Sequence, residues 1–291
     1  MKIIRDPKVY LVGRTTVIDR QIRNFLADEG VVWETDALTD GDAVPELAGR
    51  ICYMSYGKPR PGGNKAYLDN IKESGHGSVL EHPVWNFVFS GISRSLSHEL
   101  VRHRAGWAYS QVSQRYVDES VAEYVVPPII ANDPELVATW VESVEKAHGD
   151  YLNLVERLMA KLAREDYERY LDHVSDGRPQ HAMGFHEWHA SKEAFGNTLA
   201  DRTTRRKAAR GTARSVLPNA TETKIFASAN ARAIRHFVEM RASRYADVEI
   251  RKLAVAVLRV MRQEAPNLFG DYTLTALPDG TFEANTPTRK V

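Results

Sequence analysis

The stretch Arg102–Tyr116 reads RHRAGWAYSQVSQRY, and it holds three arginines, one histidine and three aromatic rings in fifteen residues. Just before it, Ile92, Leu96 and Leu100 recur at every fourth position, which predicts an amphipathic helix. The Arg-His-Arg triplet is therefore expected at the C-terminal end of that helix. A glycine interrupts the pattern after the triplet, and residues 110–113 are predicted to form a polar loop.

The basic triplet has two interpretations. It could be a solvated helix end, where cations interact favourably with the helix dipole. It could instead be an anion site, because arginine keeps its charge and binds phosphate with two parallel hydrogen bonds. The hydroxyls of Ser110 and Ser113 could also donate to phosphate oxygens. The triplet by itself leaves both interpretations open.

Two further blocks flank this stretch. Upstream, His76 is followed after four residues by a Glu-His pair, just before the segment 83–91, whose alternation predicts a strand. The downstream block consists of Arg214-Ser215-Val216-Leu217-Pro218, Asn230-Ala231-Arg232 and Arg241. With Arg-His-Arg and the following Ser-x-Arg-Tyr, these blocks resemble the signature of the flavin-dependent thymidylate synthases, the ThyX family.

The resemblance implies a fold and a reaction. The expected fold is of the α/β (α+β) class and of the ThyX type, with a mixed or antiparallel sheet flanked by helices and one long helical segment. The family is a methyltransferase that converts dUMP to dTMP, with methylenetetrahydrofolate as carbon donor and NADPH as reductant through bound FAD. It assembles as a homotetramer with active sites at subunit interfaces. The expected location is the cytoplasm.

The resemblance also assigns residues to the two ligands. Positions that would contact FAD are His76, Ser78, Arg102, His103, Arg104, Gln111, Asn230, Arg232 and His236. Positions that would contact dUMP are Glu99, Arg102, Gln111, Val112, Ser113, Gln114, Arg115, Arg214 and Arg241.

Arg241 is the expected catalytic residue. It continues the apolar stripe of Ile234, Phe237 and Val238, where an arginine is costly unless it has a partner or a ligand. An arginine at the base edge would favour the N3-deprotonated form of uracil and make C5 nucleophilic without a cysteine. Cys52, the single cysteine, has apolar neighbours and is predicted to be a small core residue.

The loop before Ser113 departs from the family pattern. Eight residues, Ala105–Val112, separate the triplet from Ser113, where seven are usual in the family. Ser110 is therefore a rival to Ser113, although the Gln-Arg-Tyr that follows favours Ser113.

Three side chains also differ from those that the family usually has at the same positions. Glu99 stands where the family usually has glutamine, Gln111 where it has an acid, and His236 where it has asparagine. A carboxylate at position 99 would repel an anionic nucleotide unless it pairs with Arg102 one turn on, or unless Gln111 compensates.

Composition limits the alternatives. Net charge is +1 and 26% of the 291 residues are charged, which suits a soluble globular protein and favours neither nucleic acid nor membrane as a partner. The first residues contain no apolar signal core, and a lone cysteine excludes an intrachain disulfide, so a reducing cytoplasm is expected. One domain is predicted over 1–291, with an insertion around 172–207 and a loosely packed tail over 268–291.

Two local patterns suggest other functions. Residues 202–214 carry five arginines and one lysine, which could bind nucleic acid. The His-Glu-Trp-His run at 186–189 superficially suggests a metal site, but no metal is expected there. The remaining alternatives are a flavin- or nucleotide-binding relative with lost or altered activity, and a basic helical nucleic-acid-binding protein.

Overall fold

A computed structural model describes residues 2–175 and 182–288 of the chain. Its internal contacts divide it into two compact units. The helical unit comprises Met1–Ile3 and Val112–Thr221, and the sheet unit comprises Ile4–Gln111 and Glu222–Val291. The single domain stays a prediction, as does the insertion, which falls within the helical unit. Residues 176–181 of that insertion lie outside the described residues.

The secondary structure mixes strands and helices. The strands are β1 (Lys2–Ile4), β2 (Lys8–Arg14), β3 (Val84–Ser93), β4 (Trp107–Gln111), β5 (Glu123–Val125), β6 (Glu222–Asn230), β7 (Thr273–Ala276) and β8 (Phe282–Asn285). The α-helices are α1 (Asp19–Asp28), α2 (Asp40–Ile51), α3 (Gly63–Glu73), α4 (Arg94–Leu100), α5 (Pro128–Ala131), α6 (Pro134–Ser175), α7 (Phe185–Ala190), α8 (Leu199–Ala213), α9 (Ala231–Arg241), α10 (Val248–Glu264) and α11 (Pro266–Phe269). The predicted α/β class is confirmed.

The sheet unit is built on four antiparallel strands in the order β2-β3-β6-β4. Alternate residues of β3 and β6 point to one face, where Trp85, Phe87 and Ala227 are almost fully buried. Helices α9 and α10 supply apolar side chains such as Phe237 and Leu253 to the same core. The alternation in residues 83–91 therefore predicted this strand correctly, and the structure shows that the face with Trp85 and Phe87 is the buried one.

The segment before the basic triplet differs from the prediction. Ile92 belongs to β3, and α4 begins only at Arg94, capped by the Ser93 hydroxyl, which accepts a hydrogen bond from the backbone N–H of Leu96. The cause is Gly91, whose φ of 66° shifts the β3–β6 register between Phe89 and Ile92. The predicted four-residue period therefore spans a strand and a helix.

The residues after the triplet also differ from the prediction. The triplet lies in the turn between α4 and β4, and Ser110 and Gln111 belong to β4 rather than to a polar loop. Ser110 pairs with Phe226 of β6 in the sheet. Backbone pairing holds both residues in the strand despite their polar side chains.

The C-terminal tail is better packed than the sequence predicted. Leu268, Phe269 and Ala284 are buried in the core of the sheet unit, and β7 pairs with β8 in a hairpin. The predicted loose packing is therefore wrong for residues 268–288, and residues 289–291 lie outside the described residues. The prediction that Cys52 is a small core residue is also wrong, because this residue follows α2 and is exposed.

The helical unit contains α6, a single helix of 42 residues. The Asp133 carboxylate caps it, accepting hydrogen bonds from the backbone N–H groups of Glu135 and Leu136. A small aromatic cluster around the fully buried Trp188 joins α6 to α7. In the described ranges no helix is long and apolar enough to cross a membrane, and no group of three or more metal-binding side chains occurs.

Candidate functional site

The basic triplet and the end of α9 line one cavity of the sheet unit, which we call the arginine cavity. Its volume is about 500 Å³, and its lining includes Arg102, His103, Arg104, Trp107, His236 and Arg241. The triplet and Arg241 are more than a hundred residues apart in the sequence. The structure therefore brings together two of the blocks that the resemblance assigned to one site.

The start of α9 is fixed by Asn230. Its side-chain oxygen accepts a hydrogen bond from the backbone N–H of Ala233 at 2.9 Å and caps the helix. Gly106 lies against this cap with a φ of 71°, and a Cβ there would lie 2.7 Å from the Asn230 amide nitrogen. The turn after the triplet therefore requires glycine, both for its left-handed conformation and for the close approach.

A second cavity lies beside this cap, and we call it the tail cavity because two residues of the C-terminal tail line it. Its volume is about 420 Å³. It contains three predicted flavin contacts, Asn230, Arg232 and His236, together with Tyr272 and Thr288 of the tail. Nothing in the sequence pattern pointed to these two tail residues.

Arg241 has two partners within the sheet unit. Its Nε donates to His103 Nε2 at 3.0 Å, and its Nη1 donates to Glu99 Oε2 at 2.8 Å. The expectation that Arg241 needs a partner is confirmed. Glu99 pairs with Arg241, whereas the pair with Arg102 that could have balanced this carboxylate along one helix face is not found among the described residues. The reason is that α4 ends at Leu100, which leaves Arg102 beyond the helix.

His103 is a neutral hydrogen-bond acceptor. Burial is the largest cause of a lowered pKa of about 4, and charge interactions with Arg241, His236 and Arg102 contribute to the same shift. Because Nε2 accepts from Arg241, the ring proton of the neutral form lies on Nδ1. The ring packs edge-on against Phe237, with the ring centroids 5.2 Å apart.

Gln111 is fixed by neighbours in the sheet unit. Its amide nitrogen donates to the hydroxyls of Ser97 at 3.1 Å and Thr223 at 3.2 Å. The amide suits this position because the Ser97 hydroxyl already donates to the backbone oxygen of Arg94 at 2.8 Å and is left to accept. The amide therefore fills a structural position next to α4 without adding a second carboxylate to the one at Glu99.

His76 and Ser78 lie on a third cavity of about 380 Å³, which also contains Cys52, Tyr53 and Arg232. Arg232 is shared with the tail cavity, and it donates to Glu81 at 2.6 Å. The Glu-His pair after His76 thus contributes a carboxylate that fixes a predicted flavin contact. Cys52 is not among the residues that line the arginine cavity.

The remaining predicted dUMP contacts belong to the helical unit. The Ser113 hydroxyl accepts from the backbone N–H of Arg115 at 3.3 Å, and Gln114 is buried. The Arg115 side chain packs on the Tyr116 ring, and Arg214 begins a short 3-10 helix after α8. Val112 is half-buried where this unit begins. Contact of these five residues with dUMP stays a prediction.

Two of the six cations in the basic run 202–214 form ion pairs within the helical unit. Arg205 is almost fully buried and pairs with Asp166 of α6, and Arg210 pairs with Asp118. Lys207 lies over the Tyr116 ring at 4.7 Å. These contacts join α8 to its neighbours within the helical unit, so part of the basic run has a structural role there.

The fold and the cationic cavities define an α/β protein suited to anionic, nucleotide-like ligands. A family model described as thymidylate synthase complementing protein matches residues 35–267. The chain is 44% identical over 289 residues to the flavin-dependent thymidylate synthase of Mycolicibacterium gilvum, covering 99% of this chain and 98% of that one. It is 42% identical over 282 residues to the enzyme of Mycobacteroides abscessus, covering 96% and 95%. The chain therefore belongs to the flavin-dependent thymidylate synthases, as its motifs predicted.

A solved structure supports the fold independently of close sequence similarity. The UMP/dUMP methylase PolB of Streptomyces cacaoi, solved with 5-Br dUMP, superimposes with a TM-score of 0.59 at 17% identity. The match covers 93% of this chain and 96% of that one. At this identity the likeness concerns the fold alone.

Proposed function

We propose that this chain converts dUMP to dTMP with FAD held in its sheet unit. The observation that carries the proposal is the arginine cavity, where the triplet, His236 and Arg241 meet although they are far apart in the sequence. Methylenetetrahydrofolate as carbon donor, NADPH as reductant, a homotetramer and a cytoplasmic location belong to the same proposal, and family membership supports them.

The residues present fit a flavin nucleotide. Guanidinium groups of Arg102 and Arg104 suit a diphosphate, because they stay charged and donate in pairs. The Nε1–H of Trp107 is buried, and none of the described residues accepts a hydrogen bond from it, so a ligand oxygen would satisfy it. Asn230, Arg232 and His236 add further donors on the tail cavity. Bound FAD would supply the redox chemistry of the reaction.

Arg241 would act on the uracil ring. Its hydrogen bonds to His103 and Glu99 use Nε and Nη1, and they hold the plane of the guanidinium while Nη2 and the remaining N–H groups serve a ligand. A positive group held in this way stabilises negative charge that develops on the base as C5 becomes nucleophilic. Because His103 is neutral, it orients Arg241 without adding a repelling cation.

Two of the departures from the family pattern, the carboxylate of Glu99 and the amide of Gln111, support this arrangement. Glu99 balances the charge of Arg241 before the substrate binds, and Gln111 stays neutral beside it, so the site keeps a net positive charge. Ser113, Gln114, Arg115 and Arg214 of the helical unit remain the proposed dUMP contacts in that part of the chain.

The test is the purified protein and its Arg104→Ala variant, with Arg157→Ala, an exposed arginine of α6, as the matched control. Loss of a charge-assisted hydrogen bond of about 1.5–3 kcal/mol should weaken FAD binding by about tenfold to 150-fold in Arg104→Ala. The control should bind FAD as the unchanged protein does. Equal FAD affinity in all three proteins would contradict the assignment.

Complementation of a thymidine-requiring host separates the proposal from its alternative. An active enzyme restores growth without thymidine. A protein that binds FAD and dUMP but fails to restore growth, and forms no dTMP in vitro, would be the relative with lost or altered activity.

A further inference from the structure

The C-terminal tail lies outside the part of the chain that the family model matches. That match ends at residue 267, and the tail continues through α11, β7 and β8. Within the sheet unit, Tyr272 and Thr288 of the tail nevertheless line the same cavity as Asn230, Arg232 and His236. A segment beyond the family model thus borders the site that family membership assigns to the flavin.

A buried arginine of α9 fastens this segment. Arg235 follows Arg232 by one helical turn and directly precedes His236, yet it is only 3% exposed. Its spacing groups it with the polar residues Arg232 and His236 of the helix, a position from which burial would not be expected. Its two Nη atoms donate to the two carboxylate oxygens of Asp271 at 2.7 and 2.8 Å, which is a bidentate pair.

The pair also holds the last described residues of the tail. Arg235 Nη2 donates to the backbone oxygen of Thr288 at 3.1 Å and to its hydroxyl at 3.0 Å. The hydroxyls of Thr286 and Thr288 in turn donate to Asp271 at 2.5 and 2.7 Å. The Thr288 hydroxyl thus accepts from Arg235 and donates to Asp271. The residue therefore borders the cavity chiefly through the van der Waals surface of its side chain.

The charges in this network favour the ionised pair. Burial would raise the pKa of Asp271, but the hydrogen bonds and charge of Arg235, with Thr286 and Lys72, hold it well below its ordinary value. The Tyr272 hydroxyl donates to the backbone oxygen of Arg235 at 3.0 Å, and its ring lies 4.9 Å from the guanidinium carbon. Removing one member would leave an uncompensated buried charge, which is strongly unfavourable.

We propose that residues 271–288 form one wall of the flavin pocket, with Thr288 in contact with the bound cofactor. In this proposal Arg235 and Asp271 are positioning residues, which set the tail against the helix face that carries Arg232 and His236. The inference rests on the proposed function, because it takes FAD as the ligand of the tail cavity.

The experiment measures FAD affinity of the full-length apoprotein by flavin fluorescence, together with its thermal unfolding without FAD. Thr288→Phe adds bulk at the cavity, whereas Thr288→Ser keeps the hydroxyl and is its control. Asp271→Asn removes the charge of the pair at nearly constant shape. Its control is Asp279→Asn, which breaks another tail ion pair, with the buried Arg251, and does not line the cavity.

The expected result is a loss of FAD affinity of about tenfold or more in Thr288→Phe and Asp271→Asn, which corresponds to about 1.4 kcal/mol or more. Both controls should stay within about twofold of the unchanged protein, a difference below 0.6 kcal/mol or so. Backbone amides of residues 282–288 should also exchange hydrogen more slowly when FAD is added. A merely structural role of the pair would lower the unfolding temperature without these changes.

Two outcomes are distinguishable. If the unchanged protein binds no FAD, the proposed function fails. If it binds FAD, and Thr288→Phe binds it equally well with no change in exchange over residues 282–288, the tail is not a wall of the pocket. Thr288→Phe keeps this second outcome decisive even if Asp271→Asn does not fold.

Discussion

The protonation of His103 gives the most direct test of how Arg241 is held. Its pKa near 4, against an ordinary value of 6.5, means that about 3% of the rings are charged at pH 5.5, whereas an unperturbed histidine would be about 90% charged. The perturbation is Arg241→Met, which removes both the charge and the hydrogen-bond donor. The pKa should then rise, yet stay below 6.5, because burial is the largest cause of its lowering.

The same shift makes stability depend on pH. Between pH 6.5 and about 4, the unfolded chain binds a proton at His103 that the folded protein does not bind. The contribution of His103 is therefore fully present above pH 6.5 and is lost as the pH falls through that window. Its size is about 3 kcal/mol at most, from 1.36 kcal/mol for each pH unit between the two pKa values.

The assay is NMR of protein labelled with ¹³C and ¹⁵N at histidine, with His103→Gln to assign the signal. The ring should remain neutral at pH 5.5, and its proton should lie on Nδ1 at pH 7. Titration of this signal near pH 6.5, or a proton on Nε2, would refute the hydrogen bond from Arg241 and the orientation that we derive from it.

Other consequences concern single side chains. Glu99→Gln should change the free energy of unfolding in urea by only about 1 kcal/mol or less, because both partners of its pair are partly exposed; a loss of several kcal/mol would mean that the pair is a core interaction. Ser113→Ala should raise the KM for dUMP about twofold to tenfold and keep turnover at saturating dUMP, and complete loss of turnover with dUMP still bound would contradict a contact role. Arg241→Ala should slow single-turnover methyl transfer by a factor of about 100 or more, with only partial rescue by lysine, and near-normal transfer would remove Arg241 from the chemistry. Trp188→Ala should destabilise the helical unit by about 3–5 kcal/mol in thermal or urea unfolding, because its ring is fully buried; a loss below about 1 kcal/mol would show that the cluster does not stabilise that unit.

Local patterns predicted the parts of the structure that local interactions decide. The alternation at 83–91 predicted β3, and the caps at Asn230 of α9 and Asp133 of α6 are of residue types that favour helix starts. The motifs also indicated the family and placed the triplet and Arg241 in one site. Signals of this kind lie within a few residues of one another, so one sequence is enough to recognise them.

The parts that the sequence did not predict depend on partners far away in the chain. Arg235 has the spacing of a polar helix face, and only Asp271, 36 residues later, explains its burial. Glu99 pairs with Arg241, 142 positions away. If α4 had continued past Leu100, Arg102 would have been close enough to pair with Glu99 instead. Gly91 delays the start of that helix through an irregularity in the preceding strand, which a four-residue period cannot reveal.

The Asn230 side chain has two roles, one in the fold and one in ligand binding, and two different screens can separate them. Its oxygen is used by the helix cap, and its amide nitrogen is the remaining polar atom that can donate to a ligand in the tail cavity. Aspartate or serine would satisfy the cap, but aspartate offers no donor there and serine is shorter. In a library randomised at position 230, a screen for folded protein would therefore accept several residues, whereas a screen for cofactor retention would return mainly asparagine. The residues that only the folding screen accepts at position 230 would therefore identify the part of the asparagine requirement that comes from the ligand.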